Sequence, residues 1–187
     1  EIQPEGDRWR LVCGDCSMIA DAIILAVGAS PRRLKIPGER DLFGRGVSYC
    51  ATCDGAFFRD EKVVVVGGGD SALTESVFLT RFASEIKLVH RRQGFRGAPV
   101  HVEEAREKDK IDFVLDTIVT EIHGEESVEG VTLQDVNSGE ERYMECGGVF
   151  ILIGHEPNTD FLDTLFPEFA GDLIPVDMNM ETDVKGI

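Results

Sequence analysis

Apolar positions in this chain fall into short runs rather than long stripes. Lys62 to Val66 is a β-branched run too short for a helix, and it predicts a strand buried on both faces, as in a parallel sheet. Ala72, Leu73, Val77 and the stretch Leu79 to Phe82 then supply the apolar face of a helix, behind Asp70 and Ser71, either of which can cap it. Glu85 to His90 predicts a second strand, so the strand–helix–strand unit spans roughly 28 residues, the size of a parallel crossover. Val102 to Lys110 predicts a short charged helix. Phe113 to His123, Val128 to Val136, Arg142 to Cys146 and Val149 to Ile153 predict four more strands. Turns at Gly124 and Asn137-Ser138-Gly139 make these an antiparallel meander, with the last run returning to the parallel sheet.

The two ends of the chain carry a different pattern. Arg8 to Cys13 and Ala22 to Val27 predict two strands about a tight turn at Gly14-Asp15, the second apolar enough to be buried. Gly28-Ala29-Ser30-Pro31 is a sharp exit. Residues 31–47 are rich in proline, glycine and arginine, a linker composition that predicts a domain boundary. Pro157 to Ile187 is irregular, and Phe161, Leu162, Leu165 and Phe166 are its core candidates. The expected fold is α/β, a Rossmann-like domain of parallel sheet, helices and antiparallel β-meander, flanked by partial segments of another domain.

Composition narrows the function. Lys and Arg number 19 against 35 Asp and Glu, a formal charge of −16, which repels nucleic acid and anionic membranes as main partners. No apolar run reaches the ~18–20 residues of a membrane span. The start, Glu1-Ile2-Gln3-Pro4-Glu5, lacks signal-peptide features and an initiator Met, as a processed product or an excised piece would. Five cysteines in an ordinary globular composition do not describe a secreted disulfide scaffold. A cytoplasmic protein is expected.

Gly67-Gly68-Gly69-Asp70-Ser71-Ala72 joins a predicted strand to a predicted helix. That is the context a dinucleotide fingerprint requires: Gly67 for the turn, Gly69 for close approach of a pyrophosphate, and a small third residue, Ala72, for helix–strand packing. An NAD site wants an acid at the tip of the second strand to accept from the ribose 2′-hydroxyl. This strand instead ends in His90-Arg91-Arg92, with Arg96 four residues on. Guanidinium groups there suit a 2′-phosphate, so NADPH is the expected nucleotide; the bland alternative is a solvated basic turn. Gly154-His155-Glu156-Pro157-Asn158 leaves a predicted strand at its carboxyl end. It is either part of the cofactor crevice or a plain exit loop.

Cys50-Ala51-Thr52-Cys53 has the spacing of a redox dithiol, and Asp54 beside it can handle the proton of a thiol–thiolate step. Cys13-x-x-Cys16 is a second such pair. Together the four thiols would suit a structural zinc, but the 33 residues between the pairs exceed a ribbon spacing. Cys13 and Cys16 therefore read as strand residues flanking a turn, Cys146 as a core residue, and no metal site is expected. His101, His123 and His155 stand without ligand partners.

The chain resembles the low-molecular-weight thioredoxin reductases, in Cys50-Ala51-Thr52-Cys53-Asp54-Gly55, Gly67–Ala72, His90-Arg91-Arg92-Gln93-Gly94-Phe95-Arg96 and Ile153–Thr159, and in the exit of the Ile24–Ser30 strand. The resemblance implies residues 32–157 as an NADPH domain carrying the dithiol, with 1–31 and 158–187 as portions of an incomplete FAD domain. It implies electron flow from NADPH to FAD, to the Cys50–Cys53 disulfide, to thioredoxin, in a homodimer when full length. By the same resemblance Cys53 faces the flavin, Cys50 attacks thioredoxin and Asp54 is the acid–base residue. Gly67, Gly69 and Ala72 pass the pyrophosphate, Arg91, Arg92 and Arg96 hold the 2′-phosphate, and residues 31–47 and 154–159 act as hinges. The sequence before Cys50 holds no glycine-rich unit of the kind such enzymes use for FAD. Other readings are a flavin disulfide reductase serving a peroxiredoxin, an NADP-binding module whose dithiol is a sensor, and a zinc-stabilised interaction domain.

Overall fold

A computed structural model describes residues 1–162, 165 and 173–187. The chain divides into two units, Pro31–Gly154 and Glu1–Ser30 with His155–Ile187. The second of these begins with β1 (Ile2–Glu5), β2 (Arg8–Cys13) and β3 (Cys16–Ala20), paired antiparallel in that order. Cys13 opposes Cys16 across the Gly14-Asp15 turn, and Gly14 takes φ +58°, which a side chain would disfavour. The pairing of β1 with β2 has no counterpart in the sequence pattern, where Ile2 to Glu5 offers one apolar residue.

Ala22–Val27 is not a strand, contrary to its apolar pattern. Ile24 is 94% exposed, Ile23 and Leu25 pack onto a small cluster with Ile2, Trp9 and Leu162, and Val27 is half-buried. A strand buried on both faces needs a ladder at its edges and a layer on each side, and no described strand pairs with this segment. The chain then forms β4 (Ala29–Pro31).

The larger unit is built on five parallel strands. In chain order it runs β5 (Val47–Ser48), α1 (Ala51–Asp54), a 3-10 turn at Gly55–Phe58, β6 (Lys62–Gly67), α2 (Asp70–Leu79), β7 (Glu85–Val89), α3 (Pro99–Arg106), β8 (Ile111–Val114), β9 (Thr117–His123), β10 (Gly130–Asp135), β11 (Glu141–Glu145) and β12 (Gly148–Leu152). The sheet order is β5-β12-β6-β7-β8, every pair parallel. The meander β11-β10-β9 forms a second, antiparallel sheet. In the smaller unit β13 (His155–Pro157) pairs with β4.

Side-chain alternation explains the layering. Val64 and Val66 of β6, with Val149 and Ile151 of β12, face Val119, Ile122, Val131 and Leu133 of the meander. Val63, Val65, Phe150 and Leu152 point the other way, onto Ala72, Leu73 and Leu79 of α2 and Ala105 of α3. Successive residues of a strand point to opposite faces, so β6 is buried throughout because both faces are covered. Each such valine contributes about 1.5–3 kcal/mol of apolar burial.

Three element boundaries depart from the pattern. The stretch 113–123 holds two strands, because Leu115-Asp116 breaks it with Asp116 at φ +48°; β8 completes the parallel sheet and β9 starts the meander. The charged helix begins at Pro99, whose fixed φ suits a first turn, and ends at Arg106 rather than Lys110. The cap of α2 is Gly69, with no side-chain cap bond from Asp70 or Ser71.

Residues 31–47, of linker composition, include a stretch that is held in place. Glu39, 3% exposed, accepts from the Leu34 and Lys35 N–H groups at 3.0 and 2.6 Å and from Tyr49 Oη at 2.8 Å. Burial, then that bond, pushes the Tyr49 hydroxyl up to about 12. Leu42 is 2% exposed within the core. Of the C-terminal core candidates Leu162 is buried, Phe161 is exposed and Leu165 is half-buried; Phe166 lies outside the described residues. No helix among the described residues is long and apolar enough to cross a membrane.

Candidate functional site

The glycine loop, the strand ends and the arginine loop meet at a crevice of about 500 Å³ at the carboxyl edge of the parallel sheet. This is where open α/β sheets receive ligands. Gly67, Gly68, Gly69, Asp70 and Ser71 line one side, His90, Arg91 and Arg96 another, and Gly154 closes the end of β12. Arg92, exposed at the tip of the loop, is not among the lining residues. Ala72 is fully buried and does not face the crevice.

The three glycines meet different surroundings. A Cβ on Gly67 would collide with the Leu152 carbonyl and the Ala72 side chain, so strand β6, strand β12 and helix α2 approach as closely as they do only with glycine and alanine there. A Cβ on Gly68 would enter the His90 ring. A Cβ on Gly69 would meet nothing within 4 Å, so packing does not explain the bare backbone, and a side chain there would fill crevice space. Leu73 N–H is bonded to Gly69 O at 3.2 Å; the N–H groups of Asp70, Ser71 and Ala72 precede that bond at the helix N-terminus, where an anion is favoured.

His90 is 8% exposed, with Nε2 3.1 Å from Gly94 O and its ring stacked on Phe95 at 5.1 Å. Burial, more than the nearby Arg91, Arg92 and Arg96 charges, holds its pKa below the usual imidazole value, against the Gly94 carbonyl. No acid stands at the end of β7, so Asp70 is the crevice's one acid against Arg32, Arg91 and Arg96. In a chain of charge −16 this is a local reversal of sign. Bare backbone at Gly69 and guanidinium groups at Arg91 and Arg96 suit an anionic ligand of the dinucleotide kind.

Sequence reasoning missed Arg32 and the β9 residues Thr117, Ile118 and Val119, which also line the crevice. The signal for Arg32 was present, a basic pair Arg32-Arg33 just past Pro31, inside a segment taken as linker. Nothing in 117–119 distinguishes a crevice wall from any other strand.

Cys50 and Cys53 form a disulfide with Cα atoms 5.3 Å apart, at the start of α1. Cys50 caps the helix, its Sγ accepting the Cys53 N–H at 3.2 Å. Cys50 is half-buried and Cys53 exposed. Ser48 Oγ accepts the Cys50 N–H at 3.1 Å and donates to Asp54 Oδ2 at 2.6 Å. Glu75 of α2 accepts from the Ala51 N–H at 2.6 Å, pinning the turn to the helix that starts at the glycine loop. Cys13, Cys16 and Cys146 are free. Burial pushes the Cys146 thiol up to about 12, and among the described residues no group of three or more His, Cys, Asp or Glu is placed to hold a metal ion.

The class these features define is a parallel dinucleotide-type sheet with a Cys-x-x-Cys disulfide at the start of a helix. The chain belongs to the pyridine nucleotide-disulphide oxidoreductase family, whose profile matches residues 8–187. It is 50% identical over 161 residues to the thioredoxin reductase of Mycolicibacterium smegmatis, covering 86% of this chain and 52% of that protein. It is 44% identical over 185 residues to the thioredoxin reductase of Bacillus subtilis, covering 98% and 58%. The crystal structure of Lactococcus lactis thioredoxin reductase in its FR conformation superimposes with a TM-score of 0.88 at 38% identity, covering 99% of this chain and 61% of that one. The chain thus spans about half the length of the curated relatives it matches.

Proposed function

We propose that this chain is the NADPH-binding and dithiol-bearing portion of a thioredoxin-disulfide reductase. The observation that carries the reading is the pairing, within one unit, of the Cys50–Cys53 disulfide with a crevice whose bare Gly69 and basic rim suit NADPH. Gly67, Gly68 and Gly69 admit the pyrophosphate, the first turn of α2 donates to it, and Arg91 and Arg96, with Arg92 nearby, meet the 2′-phosphate.

A flavin is the family's relay between nicotinamide and disulfide and would supply hydride acceptance and two-electron transfer. Among the described residues β6–α2 is the one unit in which a Gly-Gly-Gly loop joins a strand to a helix, so those residues present no second cradle of that kind for FAD.

The chain's own chemistry is thiol–disulfide exchange. Once reduced, Cys50 attacks a sulfur of the thioredoxin disulfide as thiolate, expelling the other sulfur and forming a mixed disulfide. Cys53 then attacks Cys50 Sγ, which re-forms the internal disulfide and releases the second thioredoxin thiolate. Asp54 takes and returns the proton. The Cys53 N–H on Cys50 Sγ supports the assignment of Cys50 as attacking thiolate, because a hydrogen bond to the charged form favours it.

The test uses the purified chain in two steps. Fluorescence titration should give tighter binding of NADPH than of NADH, and Arg91→Gln with Arg96→Gln should remove that preference. The chain reduced with dithiothreitol and desalted should then pass its two electrons to oxidised thioredoxin. Nucleotide binding without transfer would favour the sensor-module reading; equal binding of NADPH and NADH would defeat the assignment of the arginines.

A further inference from the structure

Asp70 stands first in α2, beside the N–H groups assigned above to a pyrophosphate. A carboxylate there opposes the phosphate charge, so its presence asks for another role. Its Oδ1 accepts the Ala98 N–H at 2.7 Å, 28 residues along the chain. Two residues earlier in the glycine loop, Gly68 O accepts from the Arg96 N–H at 2.8 Å and the Gly97 N–H at 3.2 Å. Gly97 itself lies so close that a Cβ would collide with Leu73 and come within 3.1 Å of the Asp70 nitrogen. The main chain on both sides of Arg96 is therefore stitched to the glycine loop, through Gly68 O and through Asp70.

We propose that Asp70 is a positioning residue for nucleotide selectivity: it fixes the 96–98 main chain so that Arg96 meets a 2′-phosphate. The proposal rests on the dinucleotide reading of the crevice and adds to it the source of discrimination. A guanidinium–phosphate contact is directional, so its strength depends on how narrowly the backbone beneath Arg96 is held. Without the Asp70–Ala98 bond that backbone hangs on Gly68 O, and Arg96 spreads over more positions. NADH has no phosphate at this point, so its affinity reports the pyrophosphate site alone.

Four variants separate the possibilities, each assayed for NADPH and NADH dissociation constants and for thermal midpoint. Asp70→Ala should weaken NADPH about fivefold to tenfold relative to NADH, since the charge it removes beside the pyrophosphate site acts on both nucleotides alike. Asp70→Asn keeps an acceptor for the Ala98 N–H and should keep the NADPH/NADH ratio within about twofold of wild type. Ala98→Pro removes the donor without touching the carboxylate. The native φ of −59° and ψ of 142° suit proline ahead of Pro99, and it should lose selectivity as Asp70→Ala does. In an Arg96→Gln background Asp70→Ala should change the ratio no further, because the two act as one unit.

Equal losses for both nucleotides in Asp70→Ala, or selectivity that survives both Asp70→Ala and Ala98→Pro, would overturn the proposal while leaving the crevice assignment intact. Wild-type protein that binds neither nucleotide would overturn both. If Asp70→Ala fails to fold, the Asn and Pro variants still decide the matter.

Discussion

Ser48 and Asp54 are joined by a hydrogen bond of 2.6 Å that spans the entry to the dithiol helix, from a serine only 2% exposed. The same hydroxyl oxygen accepts the Cys50 N–H, so one buried atom sets both the first cysteine and the proposed acid–base residue. Ser48→Ala should lower unfolding free energy by about 1–3 kcal/mol, the cost of leaving a buried amide and a carboxylate short of a partner. Urea denaturation measures it. A midpoint equal to wild type would mean that water replaces the hydroxyl without cost.

The two sulfurs should be distinguishable by trapping. With single-cysteine thioredoxin supplied as its mixed disulfide with thionitrobenzoate, Cys53→Ser should attack through Cys50, expel thionitrobenzoate and accumulate a protein–protein mixed disulfide, and Cys50→Ser should accumulate much less. Non-reducing gel electrophoresis of the two reactions decides it. The exposure of Cys53 makes the reverse outcome a real alternative, and that outcome would exchange the two roles.

Thiol counting gives an independent reading of the same region. The native oxidised chain should react at Cys13 and Cys16, both exposed, while Cys146 is buried and its thiol is raised to about 12. A colorimetric thiol reagent should find the third group only after denaturation, and all five after reduction.

The glycine loop predicts a contrast between neighbours. Gly69→Ala adds a Cβ into open crevice at an unstrained φ of −99°. It should leave stability within about 1 kcal/mol of wild type while reducing NADPH affinity more than about tenfold. Gly68→Ala drives a methyl into the His90 ring and should cost about 1–3 kcal/mol. Calorimetry paired with nucleotide titration distinguishes them.

His90 sets a pH dependence whose sign follows from its burial. Its folded pKa lies below the unfolded value of about 6.5, so the unfolded chain takes up the proton first as pH falls. Its contribution is complete above about pH 7 and is lost as pH drops through the unfolded and then the folded pKa. The urea midpoint should fall between pH 7.5 and 5.5, and His90→Gln should flatten that slope. An unchanged slope would show that His90 does not set the dependence.

Much of this was legible in the amino-acid order because the decisive signals are local. Val63 to Val66, Gly67 to Ala72 and the crossover between them specify strand, loop and helix from within 28 residues. The Ala22–Val27 stretch failed for the opposite reason: its apolar residues record what a strand would need, and the strands that would pair with it are not among those described. The break at Asp116 was illegible because its positive φ is maintained by distant partners, the Val136 N–H on Asp116 O at 2.8 Å and the Gln93 side chain on its carboxylate. Locally Asp70 reads as a phosphate-loop or cap residue, because the N–H its carboxylate accepts from lies 28 residues away, at Ala98.

The order β5-β12-β6-β7-β8 carries a consequence for how the chain is made. Strands β6, β7 and β8 emerge in sequence and can pair as they leave the ribosome, but β12 inserts between β5 and β6 and follows β6 by some 80 residues. Until residue 148 has been synthesised, the valine-rich edge of β6 is open, and an open apolar edge invites pairing with other chains. Strand β5, which leads directly into the dithiol helix, pairs with β12 and with no other named strand. The redox cysteines therefore reach their final setting late in folding, so their pairing during synthesis is governed by the nascent chain rather than by the finished sheet.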